Sequence, residues 1–220
     1  MISIIIPTLN ESEIIGETLS GLLTVEDDFE IIVSDGGSTD GTSSIVKSFS
    51  DVRFIKSLDG RSIQMNRGAA VAKGDIFLFL HADTELPEGA LSLIRDGLQD
   101  TGVVGGSFFV EFDSARPILK LYSLLSKVNS IFTTFGDQAL FVRSEVFKTI
   151  GGFAQIPIME DLDIQRRLRR IGSFVKLKQP VKTSARRFLK NGPITQQAKN
   201  VLLVLLFCLG VSPYFIKKLY

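Results

Sequence analysis

Three carboxylates in this sequence stand where a carboxylate can do chemistry. The stretch Lys73-Gly-Asp-Ile-Phe-Leu-Phe-Leu-His-Ala-Asp-Thr84 is apolar from Ile76 to Leu80 and turns abruptly polar at His81 and Asp83. A short apolar run flanked by Gly74 and Asp75 reads as a strand buried on both faces, and open α/β sheets bind ligands beyond the carboxyl ends of such strands. Asp83 is thus placed as a ligand for a metal or a phosphate-handling group, and a cap on the following turn explains a lone aspartate there equally well. Asp35 closes a second apolar run, Glu30-Ile-Ile-Val-Ser34, and opens the loop Asp35-Gly-Gly-Ser-Thr-Asp-Gly41. Asp161, in Met159-Glu-Asp-Leu-Asp163, opens a helix. There the helix dipole keeps a carboxylate ionised and ready to accept a proton, although an ordinary N-cap is the plainer account of the residue taken alone.

The elements that must hold these groups alternate. Ser3 to Pro7 reads as a strand, followed by a polar turn and a helix with Ile14, Ile15, Leu19, Leu22 and Leu23 at helical spacing. Glu30 to Ser34 and a helix carrying Ile45, Val46 and Phe49 repeat the pattern. Val52–Lys56 reads as a third strand, Arg61–Ala72 as a helix, Ile76–Leu80 as a central strand, and a helix starting near Pro87 carries Leu91, Ile94 and Leu98. This alternation predicts an α/β fold with a mostly parallel sheet flanked by helices on both faces. After residue 100 the pattern changes to an α+β half: strand-like Val103–Phe112, a helix over 117–132, a strand over Ala139–Val142, a Gly151-Gly-Phe153 turn and a helix from Met159 carrying Ile164, Leu168 and Ile171. No linker separates the halves, so one domain over 1–220 is expected, with a first half at 1–100, a second half at 101–175 and a basic, apolar tail at 176–220.

Charge is divided unevenly. Residues 1–163 hold 12 Lys/Arg and all 24 Asp/Glu, whereas residues 164–220 hold 13 Lys/Arg and no acidic residue. A basic tail points to an anionic partner or folds back on the acidic body. Val201–Val211 is an uninterrupted run of apolar residues and glycine between Lys199 and Lys217-Lys218. It falls short of the about 20 residues that cross a bilayer, so it reads as a docked core helix or as an interfacial one, with peripheral membrane association through 197–220. The single cysteine, Cys208, excludes a disulfide framework and suggests a reducing compartment. Met1–Ile6 reads as a strand rather than a signal peptide. The expected location is cytoplasmic, at or near the inner face of the membrane.

Ser3-Ile-Ile-Ile-Pro-Thr-Leu-Asn-Glu11, Ile32-Val-Ser-Asp-Gly-Gly-Ser-Thr-Asp-Gly-Thr42, His81-Ala-Asp83 and Glu160-Asp161 occur in the order and spacing of the family 2 glycosyltransferases, and the chain resembles that family from residue 1 to about 175. Gly60-Arg-Ser-Ile-Gln-Met-Asn-Arg-Gly68 resembles the small bacterial branch with a His-Ala-Asp triplet. The resemblance implies a GT-A fold with a nucleotide-sugar-binding half at 1–100 and an acceptor-side half at 101–175, a nucleoside-diphosphate sugar donor (UDP- or GDP-sugar), a divalent metal (Mn2+ or Mg2+), and inversion at the anomeric carbon. It implies that Asp35 meets the base of the nucleotide and that Pro7, Thr8, Asn10 and Glu11 line the nucleoside pocket. Arg61, Gln64 and Asn66 would approach the nucleotide or its phosphates. Asp83 would be the metal ligand, the last aspartate of an Asp-x-Asp motif whose first aspartate is here His81, a donor-side residue. Asp161 would be the catalytic base, with Asp137, Gln138 and Glu160 on the acceptor side.

Arg166-Arg167 and Arg169-Arg170 either reach the diphosphate or form a solvated face. The absence of Trp removes the Gln-x-x-Arg-Trp element of processive members and points to transfer of a single sugar. The acceptor is unknown, with a lipid-linked or glycan acceptor expected and no nucleic acid. The competing readings are a non-catalytic nucleotide-sugar-binding or membrane-associated scaffold, and a nucleotidyltransferase. The latter lacks support because Thr8-Leu-Asn-Glu-Ser12 is not a Gly-rich basic phosphate loop.

Overall fold

A computed structural model describes residues 1–220. The elements run β1 Ile2–Thr8, α1 Ile15–Leu23, β2 Phe29–Asp35, α2 Thr42–Lys47, β3 Val52–Lys56, α3 Arg61–Val71, β4 Ile76–Phe79, β5 Thr84–Glu85, α4 Ala90–Gly97 and β6 Val103–Phe112. They continue with α5 Pro117–Ser126, a 3-10 turn at Gly136–Gln138, β7 Leu140–Arg143, α6 Ser144–Thr149, α7 Glu160–Ile171, β8 Ser173–Thr183, α8 Arg186–Asn191, α9 Pro193–Cys208 and α10 Pro213–Leu219. One sheet in the order β3-β2-β1-β4-β7-β6-β8-β5 runs through the chain. β3, β2, β1 and β4 are mutually parallel, β7 is antiparallel to β4 and β6, β8 is parallel to β6, and β5 closes the edge antiparallel to β8.

The period of two along β1 divides the core. Ile2, Ile4 and Ile6 face one side, against Ile15, Leu19 and Leu22 of α1, Val46 of α2 and Leu91 and Ile94 of α4. Ile5 faces the other side with Met65 and Ala69 of α3, Phe147 of α6 and Ile164 and Leu168 of α7. Both faces are therefore covered, which is why Ile4–Ile6 of β1 and Ile76–Phe79 of β4 read as unbroken apolar runs. Helix α3 lies so close to β1 that a Cβ on Gly68 would stand 2.4 Å from Ile5 Cγ2. Gly68→Ala, a change that gains up to about 1 kcal/mol on an exposed helix, should here destabilise the chain by about 1–3 kcal/mol through overpacking, read as a lower urea midpoint at unchanged slope.

The structure departs from the sequence reading mainly after residue 170. Residues 173–183, which straddle the boundary at 176 where the tail was expected to start, form β8, which buries Phe174 and Val181 beside β6. Lys176, Lys178, Lys182 and Pro180 hide its strand pattern. The proline is accommodated at a register shift, where Lys176–Pro180 lies opposite Ser107–Phe109. The helix expected over 117–132 stops at Ser126. The apolar run near the C-terminus is docked on one face only: Leu203 and Val204 of α9 pack with Met159, Leu162 and Ile216, while Val201, Leu202, Leu205 and Leu209 are exposed. No helix is long and apolar enough to cross a membrane.

Candidate active site

The parallel strands β1, β2 and β4 deliver their carboxyl ends to one edge, with Thr8 paired to Asp35 and Ile5 to Phe79. Asp35 is 2% exposed. Its Oδ1 accepts hydrogen bonds from the hydroxyls of Thr8 (3.2 Å) and Ser38, and its Oδ2 from Gly37 N (3.2 Å), Ser38 N (3.0 Å) and Ser43 Oγ (3.1 Å). Burial pushes this carboxyl up, but the donors from Ser38, Gly37 and Ser43 outweigh it and hold it below the ordinary carboxylate range. Both oxygens of Asp35, the residue expected to meet a nucleotide base, are engaged in this structure by Thr8 of β1 and by its own loop, so Asp35 shapes the wall at this end of the sheet. Asn10, at φ +55°, ties the β1 loop to the same turn by accepting from Thr39 N (2.9 Å) on Oδ1 and donating its own N–H to Ser38 Oγ (2.9 Å).

Beyond the strand ends lies a cavity of about 980 Å³ lined by Pro7, Thr8, Glu11, Arg61, Gln64, His81, Asp83, Asp137, Gln138, Glu160 and Asp161. Asn10, Asp35 and Asn66 do not line it. At one end Glu11 and Asp83 converge on a single cationic atom: Arg186 Nη2 is 2.9 Å from Glu11 Oε2 and 3.5 Å from Asp83 Oδ2. Glu11, expected in the nucleoside pocket, thus stands beside Asp83. No three His, Cys, Asp or Glu side chains group closely enough to hold a metal by themselves. The two hard carboxylates do suit a cation whose remaining ligands come from a bound phosphate or water.

The middle of the cavity is a charged knot. Arg61, from the first turn of α3, pairs through Nε with Glu160 Oε1 at 3.1 Å, and its Nη1 lies 3.2 Å from His81 Nε2. Burial opposes the guanidinium charge, but Glu160 and Asp161 across from it keep Arg61 ionised. A guanidinium only donates, so His81 Nε2 accepts and the neutral ring carries its proton on Nδ1. Burial, with Arg61 and Arg187 nearby, pushes His81 down to about 3. Its contribution to stability is full above the ordinary histidine value of about 6.5 and is lost as pH falls toward the folded value. With one histidine in the chain, imidazole nitrogen NMR should find the Nδ1–H tautomer still neutral at about pH 5, where an unperturbed ring is mostly protonated; titration near 6.5 would contradict this placement.

Asp161 begins α7, with Oδ2 accepting from Gly136 N (2.8 Å) and Oδ1 from Leu162 N (2.9 Å). Gly136 sits tightly against this knot: a Cβ there would lie 3.2 Å from Arg61 Nη1, 3.3 Å from His81 Nε2 and 3.4 Å from Asp161 Oδ2. Asp137 follows it, half-buried, with Oδ1 unpartnered. Burial, then Asp161 and Asp83, push its carboxyl up to about 6 against the pull of Arg61 and Lys176. Lys176 of β8 donates to Gln138 Oε1 and to Thr134 Oγ1 (2.8 Å), and burial pushes it down to about 7.

Several expected site residues turn out to hold the frame. Gln64 is 3% exposed and donates to the carbonyls of Thr8 (2.6 Å) and Ser34 (3.0 Å), clamping β1 to β2. Asn66, expected near the nucleotide, grips Phe153 in this structure, donating to its carbonyl at 2.8 Å and accepting its N–H at 2.9 Å. The arginines of α7 do not reach the cavity. Arg167 pairs with Asp163 at 2.6 Å, Arg166 lies over the Phe207 ring and Arg169 over Phe174. Gly136, Lys176 and Arg186 were not singled out from the sequence; the only pointer to Arg186 was the excess of basic residues after position 163.

The profile described as "Glycosyl transferase family 2" matches residues 3–154. Among curated proteins, a probable glycosyltransferase, YdaM, of Bacillus subtilis (strain 168) is 25% identical over 202 residues, covering 80% of this chain and 48% of that protein. A PGL/p-HBAD biosynthesis glycosyltransferase of Mycobacterium bovis (strain BCG / Pasteur 1173P2) is 35% identical over 167 residues, covering 70% of this chain and 63% of that protein. The chain therefore spans roughly half to two thirds of the length of these relatives. Among solved structures, S. aureus TarS 1-349 superposes with a TM-score of 0.70 at 17% identity, covering 94% of this chain and 64% of that one. The mannosyltransferase PcManGT from Pyrobaculum calidifontis, in complex with GDP-Man and Mn2+, gives 0.68 at 22% identity, covering 83% and 56%. These structures share the fold, a curled, mostly parallel GT-A sheet flanked by helices. The chain belongs to glycosyl transferase family 2.

Proposed function

We propose that the chain transfers a single sugar from a nucleoside-diphosphate sugar to an acceptor hydroxyl, with inversion, and that Asp161 is the general base. The observation that carries this reading is that a carboxylate at a helix N-terminus, Asp161, opens onto the same cavity as the Glu11–Asp83 pair. The nucleoside lies against Pro7 and Thr8 on the wall set by Asp35, and the diphosphate lies toward Asp83, Arg61 and neutral His81. The acceptor oxygen bonds to the anomeric carbon as the bond from that carbon to the diphosphate breaks. The electron pair leaves with the diphosphate and the hydroxyl proton passes to Asp161. A divalent cation, Mn2+ or Mg2+, entering with the donor would be held by Asp83 and Glu11 and would offset charge on the departing diphosphate. The Asp137–Gln138 pair, with Glu160 behind it, faces the acceptor side. TarS has been solved with UDP and with UDP-GlcNAc, and PcManGT with GDP-Man, which supports a nucleotide-sugar donor here.

The far arm of the cavity supports an acceptor with an apolar portion, such as a lipid-linked one. It is lined by Tyr122, Leu125, Phe132, Phe188, Val201 and Val204, and it adjoins the exposed Leu124, Leu202 and Leu205. The basic excess of this half suits an anionic membrane face. The pair Leu202→Gln, Leu205→Gln should weaken sedimentation with anionic phospholipid vesicles about tenfold or more and leave UDP or GDP binding unchanged. Equal sedimentation would sink the membrane part alone. The donor reading is tested by melting the protein with a panel of UDP- and GDP-sugars plus Mn2+. One donor at about 100 times its Kd should raise Tm by roughly 5–10 °C, and no rise with any donor would refute the reading.

A further inference from the structure

The segment after β8 brings a fixed positive charge into the cavity. Asp113 holds its base: Oδ1 accepts from Ala185 N (2.6 Å), and its N–H donates to Thr183 O (3.1 Å). Phe188, two residues past Arg186, packs on Phe112 (5.1 Å between ring centroids) and Tyr122 (5.9 Å). Between these anchors Arg186 is half-exposed, with Nη2 on both Glu11 and Asp83. One guanidinium nitrogen therefore occupies the point where the two carboxylates converge, and the rest of the group faces the cavity.

We propose that Arg186 is a donor-diphosphate ligand held in reserve: it neutralises Glu11 and Asp83 in the donor-free chain and turns onto the diphosphate oxygens when a donor binds. This rests on the nucleotide-sugar reading. The physical argument is one of charge. Two carboxylates facing each other across a cavity repel one another and any incoming diphosphate, and a resident guanidinium removes both penalties. Its planar fork then suits phosphate oxygens at least as well as carboxylates. Glu11 and Asp83, freed as Arg186 leaves them, would then be open to hold a cation brought by the diphosphate, so Arg186 and a divalent cation would compete before the donor arrives and act together after it.

The competition gives opposite effects from one substitution. In Arg186→Gln, Mn2+ added without donor, followed by paramagnetic resonance of the free ion, should bind about tenfold or more tightly than in the unsubstituted protein. UDP or GDP, measured by calorimetry, should bind about tenfold or more weakly. Arg186→Lys should fall between for both. Lys190→Gln, an exposed change of the same charge outside the cavity, should alter neither by more than about twofold. Circular dichroism on each variant shows that the fold is kept. If the unsubstituted protein binds neither UDP nor GDP, the nucleotide reading fails and this proposal with it. If it binds one of them and Arg186→Gln matches Lys190→Gln in either measurement, the Arg186 proposal alone is overturned.

Discussion

Asp161→Asn is expected to lower the rate constant for sugar transfer by roughly 10²–10⁴-fold, with UDP or GDP affinity within about twofold of the unsubstituted protein. Asparagine has nearly the same shape and keeps one acceptor oxygen, so either the bond from Gly136 N or that from Leu162 N survives. It cannot take a proton from an attacking hydroxyl. The loss should therefore fall on kcat rather than on donor KM, the pattern of an interaction made in the transition state. The amide sets an NH2 against a backbone N–H, so a small drop in melting temperature is also expected. Equal losses in kcat and donor binding would mean that Asp161 serves as a structural cap.

The second large effect is on stability. Asp35→Ala leaves the buried donors of Thr8, Ser38, Gly37 and Ser43 without their acceptor. Hydrogen bonds to a charged group contribute about 1.5–3 kcal/mol each, and groups left unsatisfied by burial add to the loss. Some of these hydroxyls will find water, so a net cost of about 3 kcal/mol is expected, or a fall in Tm of roughly 6–12 °C. The pH dependence has a definite sign. The folded carboxyl lies below its unfolded value near 3.8, so its stabilisation is full above that value and disappears as pH falls through the folded one. The stability gap between the two proteins should thus be constant at neutral pH and shrink in acid below about pH 4. A gap that widened in acid would contradict the assignment. Nucleotide binding should fail together with the loop.

These two aspartates also show what a sequence can reveal. The positions of Asp35, Asp83 and Asp161 were legible because each lies at or just beyond the end of an element whose apolar periodicity is clean, and because the sheet carries strand ends to one edge. The first half was readable for the same reason: Ile4 to Ile6 and Phe77 to Phe79 are buried on both faces, and nothing polar interrupts them. The second half was not, because β8 alternates with lysines and bends around Pro180. Arg186, Lys176 and Gly136 could not be found from local pattern, since each matters through contacts 25–175 residues away. Gln64 and Asn66 were assigned to the donor on motif alone, and the structure shows where their amides are engaged.

The most direct measurement follows release of UDP or GDP when a panel of nucleotide sugars is incubated with the protein and Mn2+, with and without Asp161→Asn. At least one donor should yield nucleoside diphosphate with the unsubstituted protein, and the rate should fall by about two orders of magnitude or more in the variant. A donor that raises the melting temperature while no diphosphate is released from any member of the panel would contradict catalysis and make the chain a nucleotide-sugar binder.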